Sequence, residues 1–212
     1  MTQKISASLL FCFVSFLACS ADSQSGFSPT KEEETIEKAD KGTQIVRSSG
    51  LETNSISVNQ TIRTYLTYSP SVTSGLIPVI IDFHGGAGTA EEQYITSNFI
   101  EIADREGILV VYPQADVRAG SVWNTLHSDE GNKVAGVDDF GFIAAIIESL
   151  DLNPTIDTSR IYVSGYSNGA AMAYQIACHL NDDIAGFVVM SGLFPLEAEY
   201  PCVITHETAG II

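Results

Sequence analysis

Short apolar runs alternate with stretches of helical spacing along most of the chain, from about residue 60 onward. The runs Pro78–Ile81 and Gly186–Met190 are continuously apolar, as expected for strands that are buried on both faces. Strands that alternate with helices are typical of α/β proteins, so the pattern predicts a mostly parallel sheet with helices on both faces. The predicted strands are Arg63–Tyr68, Ile77–Phe83, Ile108–Tyr112, Arg160–Gly165 and Ile184–Met190.

Three helices are predicted between these strands. Ala90–Glu106 follows Thr89, a residue suited to capping a helix N-terminus, and Asn168–Leu180 is rich in alanine. The helix between these two, Asp138–Leu152, begins with two carboxylates. Because negative side chains stabilise a helix N-terminus, capping explains Asp138 and Asp139 better than a catalytic role does.

The N-terminal 19 residues have the pattern of an export signal. Lys4 lies in a short polar start, and the apolar run Ile5–Ala18 that follows is too short to span a membrane. Leu17 and Ala18 before Cys19 resemble the box at which bacterial lipoproteins are cleaved and acylated, so Cys19 is a candidate lipidation site. Plain secretion and an uncleaved segment are the alternatives.

Residues 20–49 are expected to form a disordered acidic tether. They are rich in Ser, Glu and Lys and carry too few apolar residues to offset the entropy lost on ordering the chain. Residues 50–212 then form one folded domain, whose size suits a single core.

Net charge excludes one class of partner. The chain has 26 acidic and 10 basic side chains, a formal net charge of −16. Binding to a phosphate backbone needs clustered Lys and Arg, so nucleic acid is excluded as a partner. We expect a monomer that contacts a membrane only through the possible lipid anchor.

Cysteine usage is consistent with export. Of the four cysteines, Cys178 and Cys202 lie outside the export segment. In an exported protein such an isolated pair suggests a disulfide, with two separately buried thiols as the alternative. The spacing of Cys and His predicts no zinc or iron–sulfur site.

The strongest chemical signal is the sequence GYSNG at residues 165–169, between a predicted strand and a predicted helix. A nucleophile elbow has this context, because a strand that turns sharply into a helix exposes a serine, here Ser167, in a strained conformation. Glycines two residues to either side remove side chains that would collide. The N–H of Asn168 and the helix dipole then point at the oxygen that becomes negative during acyl transfer.

A second signal is HGGAG at residues 84–88, directly after a predicted strand and before the first helix. Esterases with a nucleophile elbow place another oxyanion donor in this loop, and its glycines let the backbone approach the substrate. The alternative is a dinucleotide-binding fingerprint that begins at Gly86 and Gly88. Its third glycine position holds Glu91, whose carboxylate would repel pyrophosphate.

These motifs resemble the secreted esterases of the polyhydroxybutyrate depolymerase and feruloyl esterase type, within the α/β-hydrolase superfamily. The resemblance runs from Thr61 to Met190 and rests on five phrases in order: DFHGGAG, ADREGILVVYPQA, WN, VDDFGFI and DTSRIYVSGYSNGAAMAYQIAC. It implies a carboxylic ester hydrolase that needs no metal or organic cofactor.

The resemblance also implies roles for individual residues. Ser167 attacks the ester and forms an acyl-enzyme, while N–H groups of Gly85 or Gly86 and of Asn168 hold the oxyanion. The substrate-binding candidates are His84, Trp123 and Tyr166. For Trp123 the alternative is an aromatic side chain packed under a long loop.

The acid and base of a catalytic triad are not found in this chain. Hydrolases of this fold present Ser, then Asp or Glu, then His, and relatives carry a phrase like HGTAD where residues 206–210 read HETAG. Gly210 would then occupy the place of the acid. Neither His84, which lies in the oxyanion loop, nor His179, which ends the third helix, fits the role of base; His127, in a variable loop, and His206 do not fit it either.

Two hypotheses follow. The first is an exported carboxylic ester hydrolase whose gene product is incomplete and weakly active or inactive. It contains the start of the next strand at Val203–His206 but lacks the C-terminal strands. The second is a non-catalytic, membrane-tethered protein that binds an ester or polysaccharide. Polyester, feruloylated polysaccharide and acetylated sugar all remain open as the substrate.

Overall fold

A seven-stranded mixed sheet forms the centre of the protein. The computed structural model of the 212-residue chain describes residues 45–46, 50–125, 136–192, 202 and 209–211. The strands are β1 (Ile45–Val46), β2 (Gly50–Val58), β3 (Thr61–Ser69), β4 (Val72–Thr73), β5 (Ile77–Phe83), β6 (Leu109–Pro113), β7 (Ile156–Tyr166), β8 (Gly186–Met190) and β9 (Ala209–Ile211).

The strand order in the sheet is β2-β3-β6-β5-β7-β8-β9. The first two neighbouring pairs are antiparallel and the remaining four are parallel. All five predicted strands are present, which confirms the mostly parallel sheet. Two further strands, β1 and β4, form a small antiparallel pair, and β1 lies within the predicted tether.

Strand β2 was not expected from the sequence. It pairs with β3 along its whole length through a turn at Asn59 and Gln60, both of which have positive φ. Two such residues suit the tight turn of a hairpin, but the usual signal is Asn followed by Gly, and here Gln60 follows Asn59. Half of the strand is also polar and exposed, so its periodicity is weak.

In the described ranges four α-helices cover the sheet: α1 (Ala90–Ser97), α2 (Ile100–Glu106), α3 (Asp139–Asp151) and α4 (Asn168–His179). The structure corrects the single helix predicted over Ala90–Glu106. Asn98 adopts the left-handed conformation with φ 53°, which ends α1 before α2 begins. Asn tolerates this conformation better than most residues do, and so breaks the helix without a glycine or proline.

Both faces of the sheet are covered. One core contains side chains of β5 and β7 packed on α3 and α4, among them Val79, Ile81, Ile143 and Met172. A second core contains Tyr112 and other residues of β3 and β6 packed on α1 and α2. This arrangement confirms the predicted helices on both faces. No helix in the described part of the chain is long and apolar enough to cross a membrane.

Candidate active site

The junction of β7 and α4 is a sharp turn centred on Ser167. This residue has φ 55° and ψ −121°, a conformation that costs a non-glycine residue roughly 1–3 kcal/mol. The side chain is exposed, and the Ser167 N–H donates to the Met190 carbonyl at the end of β8 at 2.9 Å. The turn therefore holds a solvent-accessible hydroxyl at the N-terminus of a 12-residue helix.

Glycines on both sides of Ser167 make this turn possible. A Cβ on Gly165 would lie 2.5 Å from the backbone of Gly169, and a Cβ on Gly169 would lie 2.3 Å from the carbonyl oxygen of Phe83. Such distances are shorter than any real Cβ contact, so neither position admits a larger residue without movement of the backbone. The predicted strand–turn–helix context and the reason for its glycines are confirmed.

The loop after β5 lies beside this turn. A Cβ on Gly85 would lie 2.8 Å from the ring of Tyr166, and one on Gly86 would lie 3.5 Å from the Cβ of Asn168. The loop is therefore packed directly against the residues that flank Ser167. The loop ends at Thr89, which caps α1 as predicted and does so reciprocally with Glu92.

A strap formed by residues 121–124 joins the loop to the turn. The Ala87 N–H donates to the Ser121 carbonyl at 2.9 Å, and the Trp123 indole N–H donates to the His84 carbonyl at 2.8 Å. The side-chain oxygen of Asn168 accepts a hydrogen bond from the backbone N–H of Trp123 at 2.7 Å. One strap thus fixes both backbone segments from which oxyanion donors are expected.

His84 is a buried structural residue. Its Nε2 accepts from the Ala115 N–H at 3.0 Å, so its Nδ1 carries the proton and donates to the Gly85 carbonyl at 2.7 Å. Burial lowers the pKa of the imidazole, which favours the neutral form. The ring packs on Trp123 with centroids 4.9 Å apart.

This burial disagrees with the substrate-binding role expected of His84 and Trp123, whose exposed fractions are 1% and 2%. Both side chains lie beneath the surface and hold backbone in place, which matches the alternative given for Trp123. Tyr166, by contrast, is 46% exposed next to Ser167. It is the one substrate-binding candidate that a ligand could reach in this structure.

The paired aspartates at the start of α3 have separate structural roles. Asp138 caps the helix by accepting from the Gly141 N–H at 2.7 Å, as predicted. Asp139 is buried and forms an ion pair with Arg63 on β3 at 2.6 Å. Burial raises the pKa of Asp139, and the charge of Arg63 opposes that shift.

The structure joins Cys178 at the end of α4 to Cys202 by a disulfide. Gly210 lies within β9 and pairs with Phe187 of β8, so it stands inside a strand and not in a loop where a triad acid would be placed. The predicted strand start at Val203–His206, together with His127, His206 and Cys19, lies outside the described residues.

Several residues that support the site were missed in the sequence. Some of them lie in the phrases that carry the resemblance, but they act through pairs across elements that are distant in the chain, and no local motif shows that pairing. They are Arg63, Asp82, Gln93, Asn124 and Ser164.

Comparison with known proteins places this geometry in a family. The sequence model of the family described as esterase PHB depolymerase matches residues 63–204, two thirds of the chain. The chain belongs to this family. The match begins in β3 and includes both the glycine loop after β5 and the turn at Ser167, which confirms the resemblance drawn from the sequence.

Two curated relatives are esterases. The chain is 29% identical over 125 residues to a bifunctional acetylxylan esterase/xylanase of Neocallimastix patriciarum, a match covering 59% of this chain and 17% of that protein. It is 28% identical over 116 residues to feruloyl esterase B of Thermothelomyces thermophilus, covering 55% of this chain and 39% of that protein. The matches thus span well under half of each relative.

A solved structure shows the fold. The acetyl xylan esterase from Aspergillus awamori superposes with a TM-score of 0.55 at 22% identity, covering 68% of this chain and 53% of that one. The described sheet and its helices are therefore part of an α/β-hydrolase fold, as predicted.

Proposed function

We propose that this protein is a serine-type carboxylic ester hydrolase with Ser167 as its nucleophile. The observation that carries the proposal is the conformation of Ser167, which is strained, exposed and placed at a helix N-terminus beside the glycine loop. Strain of this kind persists only where the surrounding structure enforces it, and it concentrates at functional sites. Membership of the esterase family and the names of the relatives support the same reaction class.

In the proposed reaction the Ser167 Oγ bonds to the ester carbonyl carbon while its proton passes to a base. The carbonyl oxygen becomes an oxyanion and accepts hydrogen bonds from the N–H of Asn168 and from Gly85 or Gly86. The alcohol then leaves with the proton, and water hydrolyses the acyl-enzyme to release the acid. Trp123 and His84 act as positioning residues in this scheme, because they hold the donors without contacting substrate.

Neither described histidine is placed to act as the base. Both ring nitrogens of His84 are engaged by backbone groups. His179 lies at the opposite end of α4 from Ser167, about 18 Å away at 1.5 Å per residue. This observation favours a second candidate function, a non-catalytic protein that binds an ester or polysaccharide at the same surface.

We propose that the substrate is a polyester or an ester of a plant cell-wall polysaccharide. The relatives named for acetylxylan and feruloyl esters support this class, and exposed Tyr166 beside Ser167 offers an aromatic surface to a substrate. Polymeric substrates also fit the export and lipid anchoring predicted for residues 1–19.

Hydrolysis assays on the full chain test the proposal. The expected result is release of p-nitrophenol from p-nitrophenyl acetate and butyrate, abolished in Ser167→Ala. Ser191→Ala is a matched control, because Ser191 is also exposed with φ 55° but lies after β8. Retained binding of acetylated xylan without any Ser167-dependent hydrolysis would favour the non-catalytic candidate.

A further inference from the structure

A single carboxyl group connects the three elements that lead into and out of the site. Asp82 on β5 and Ser164 on β7 are register partners in the sheet, and the Ser164 hydroxyl donates to Asp82 Oδ1 at 2.5 Å. The Gln93 amide on α1 donates to Asp82 Oδ2 at 2.6 Å. Strand β5 enters the glycine loop, α1 leaves it, and β7 enters the turn at Ser167.

Asp82 is buried and has no cationic partner. Its side chain is fully inaccessible, and none of the ion pairs within the described ranges includes it. The groups around it are neutral: Ser164 from β7, Gln93 and Ser97 from α1, and Tyr112 from β6. Burial raises the pKa of Asp82, while its hydrogen bonds from Ser164 and Gln93 oppose that shift.

Stability alone does not account for a carboxyl group at this position. Removing a carboxyl group from water without a cation costs free energy, and an apolar side chain would fill the same space at lower cost. Among the described residues, the side-chain oxygen of Gln93 is also buried next to Asp82 without a hydrogen-bond donor. The cluster therefore favours fixed geometry over maximal stability.

We propose that Asp82 is a positioning residue that sets the distance between the glycine loop and the Ser167 turn by holding Ser164 and Gln93. The inference rests on the proposed function, because that function requires oxyanion donors from both segments to meet at one point. Removing the carboxyl group would release both ends of the loop from β7. Asn can replace it, since its oxygen accepts from Ser164 and its amide donates to the Gln93 oxygen once the Gln93 amide group turns over.

The first measurement uses Trp123, the only tryptophan in the chain. Its indole N–H is bonded to the His84 carbonyl, so its fluorescence reports the position of the glycine loop. We expect a red-shifted emission and stronger quenching by acrylamide in Asp82→Ala, and a near-native spectrum in Asp82→Asn. Asp104→Ala is the matched control, because Asp104 on α2 also accepts hydrogen bonds from two side chains, those of Tyr68 and Ser71.

The second measurement is the maximal rate at which a fluorophosphonate labels Ser167. Misplacement of a reacting group by about 1 Å can cost about 100-fold in rate, and we expect a loss of that order in Asp82→Ala with labelling restored in Asp82→Asn. Ser164→Ala removes one hydroxyl from the cluster and serves as the variant that folds if Asp82→Ala does not. It should shift both readouts in the same direction.

Native Trp123 emission and labelling in folded Asp82→Ala and Ser164→Ala would overturn the proposal. So would an Asp82→Asn variant as impaired as Asp82→Ala, because the charge and not the hydrogen bonds would then be decisive. If Ser167 is inert in the unsubstituted chain, the proposed function fails, whereas the Trp123 spectra still decide the role of Asp82.

Discussion

Two buried carboxyl groups, Asp82 and Asp139, flank the site, and the protein holds them in opposite ways. Asp139 on α3 is paired with Arg63, whose guanidinium lies 4.2 Å from the centroid of the Phe142 ring. Asp82 on β5 accepts only from neutral donors. Removing either partner of the ion pair leaves the other charge buried and unpaired. A carboxyl group that is held by neutral groups can be neutralised without leaving a second buried charge unpaired.

The strap at residues 121–124 connects these two regions. The Asn124 N–H donates to Asp139 Oδ2 at 2.8 Å, and the neighbouring Trp123 holds the glycine loop that begins after Asp82. The ion pair therefore supports the site from α3 and β3, and the neutral cluster supports it from β5, β7 and α1. We therefore expect substitutions in the Arg63–Asp139 pair to affect the free energy of unfolding most. Substitutions around Asp82 should mainly affect the geometry of the site.

The largest effect is expected from Arg63→Met. Loss of the guanidinium leaves the Asp139 charge buried and unpaired, so the free energy of unfolding should fall by about 3–5 kcal/mol in urea titrations. Arg105→Met is the control, because its ion pair with Glu106 is exposed and should leave the unfolding midpoint unchanged. Equal effects of the two substitutions would contradict the role given to the Arg63–Asp139 pair.

A smaller effect is expected from Trp123→Phe, which keeps an aromatic ring but removes the N–H that binds the His84 carbonyl. A buried carbonyl left without its donor costs about 1–3 kcal/mol in unfolding free energy. Labelling of Ser167 should slow as well. Tyr68→Phe removes a comparable donor to Asp104 away from the site, and it should lower stability without changing the labelling rate. Slower labelling in both variants would argue against a specific role for the strap.

The smallest effect is a pH dependence specific to Asp82. Because the folded pKa is raised above its ordinary value of 3.8, the folded protein binds more protons than the unfolded chain above that pH. The contribution of Asp82 to stability is complete below 3.8 and is lost as pH rises through the folded pKa. Asp82→Asn lacks this loss, so its stability relative to the parent should increase from pH 4 to pH 8. A difference that stays constant with pH would show that Asp82 does not change its ionisation on folding.

Short motifs in the sequence predicted those parts of the site whose structure is set by neighbouring residues in the chain. The turn at Ser167 follows from two glycines at a strand–helix junction, and the cap at Thr89 follows from its residue type at the start of a helical stretch. The order of strands and helices likewise follows from short-range periodicity. These features need no knowledge of which strands are neighbours.

Features that depend on long-range pairing could not be predicted in the same way. The contact between Asp82 and Ser164 joins residues 82 positions apart and exists only because β5 and β7 are adjacent. The burial of His84 and Trp123 depends on the path of residues 115–124 over the glycine loop. The sequence therefore indicated residues that lie close to Ser167 but not which of them are buried.

Labelling of Ser167 tests the central claim most directly. The folded, unsubstituted chain is incubated with a fluorophosphonate, and the adduct is located by peptide mass spectrometry with Ser167→Ala as the control. The account predicts one adduct, on the peptide that contains Ser167, and none in the control. An unlabelled folded chain, or an adduct on another residue that persists in Ser167→Ala, would contradict it.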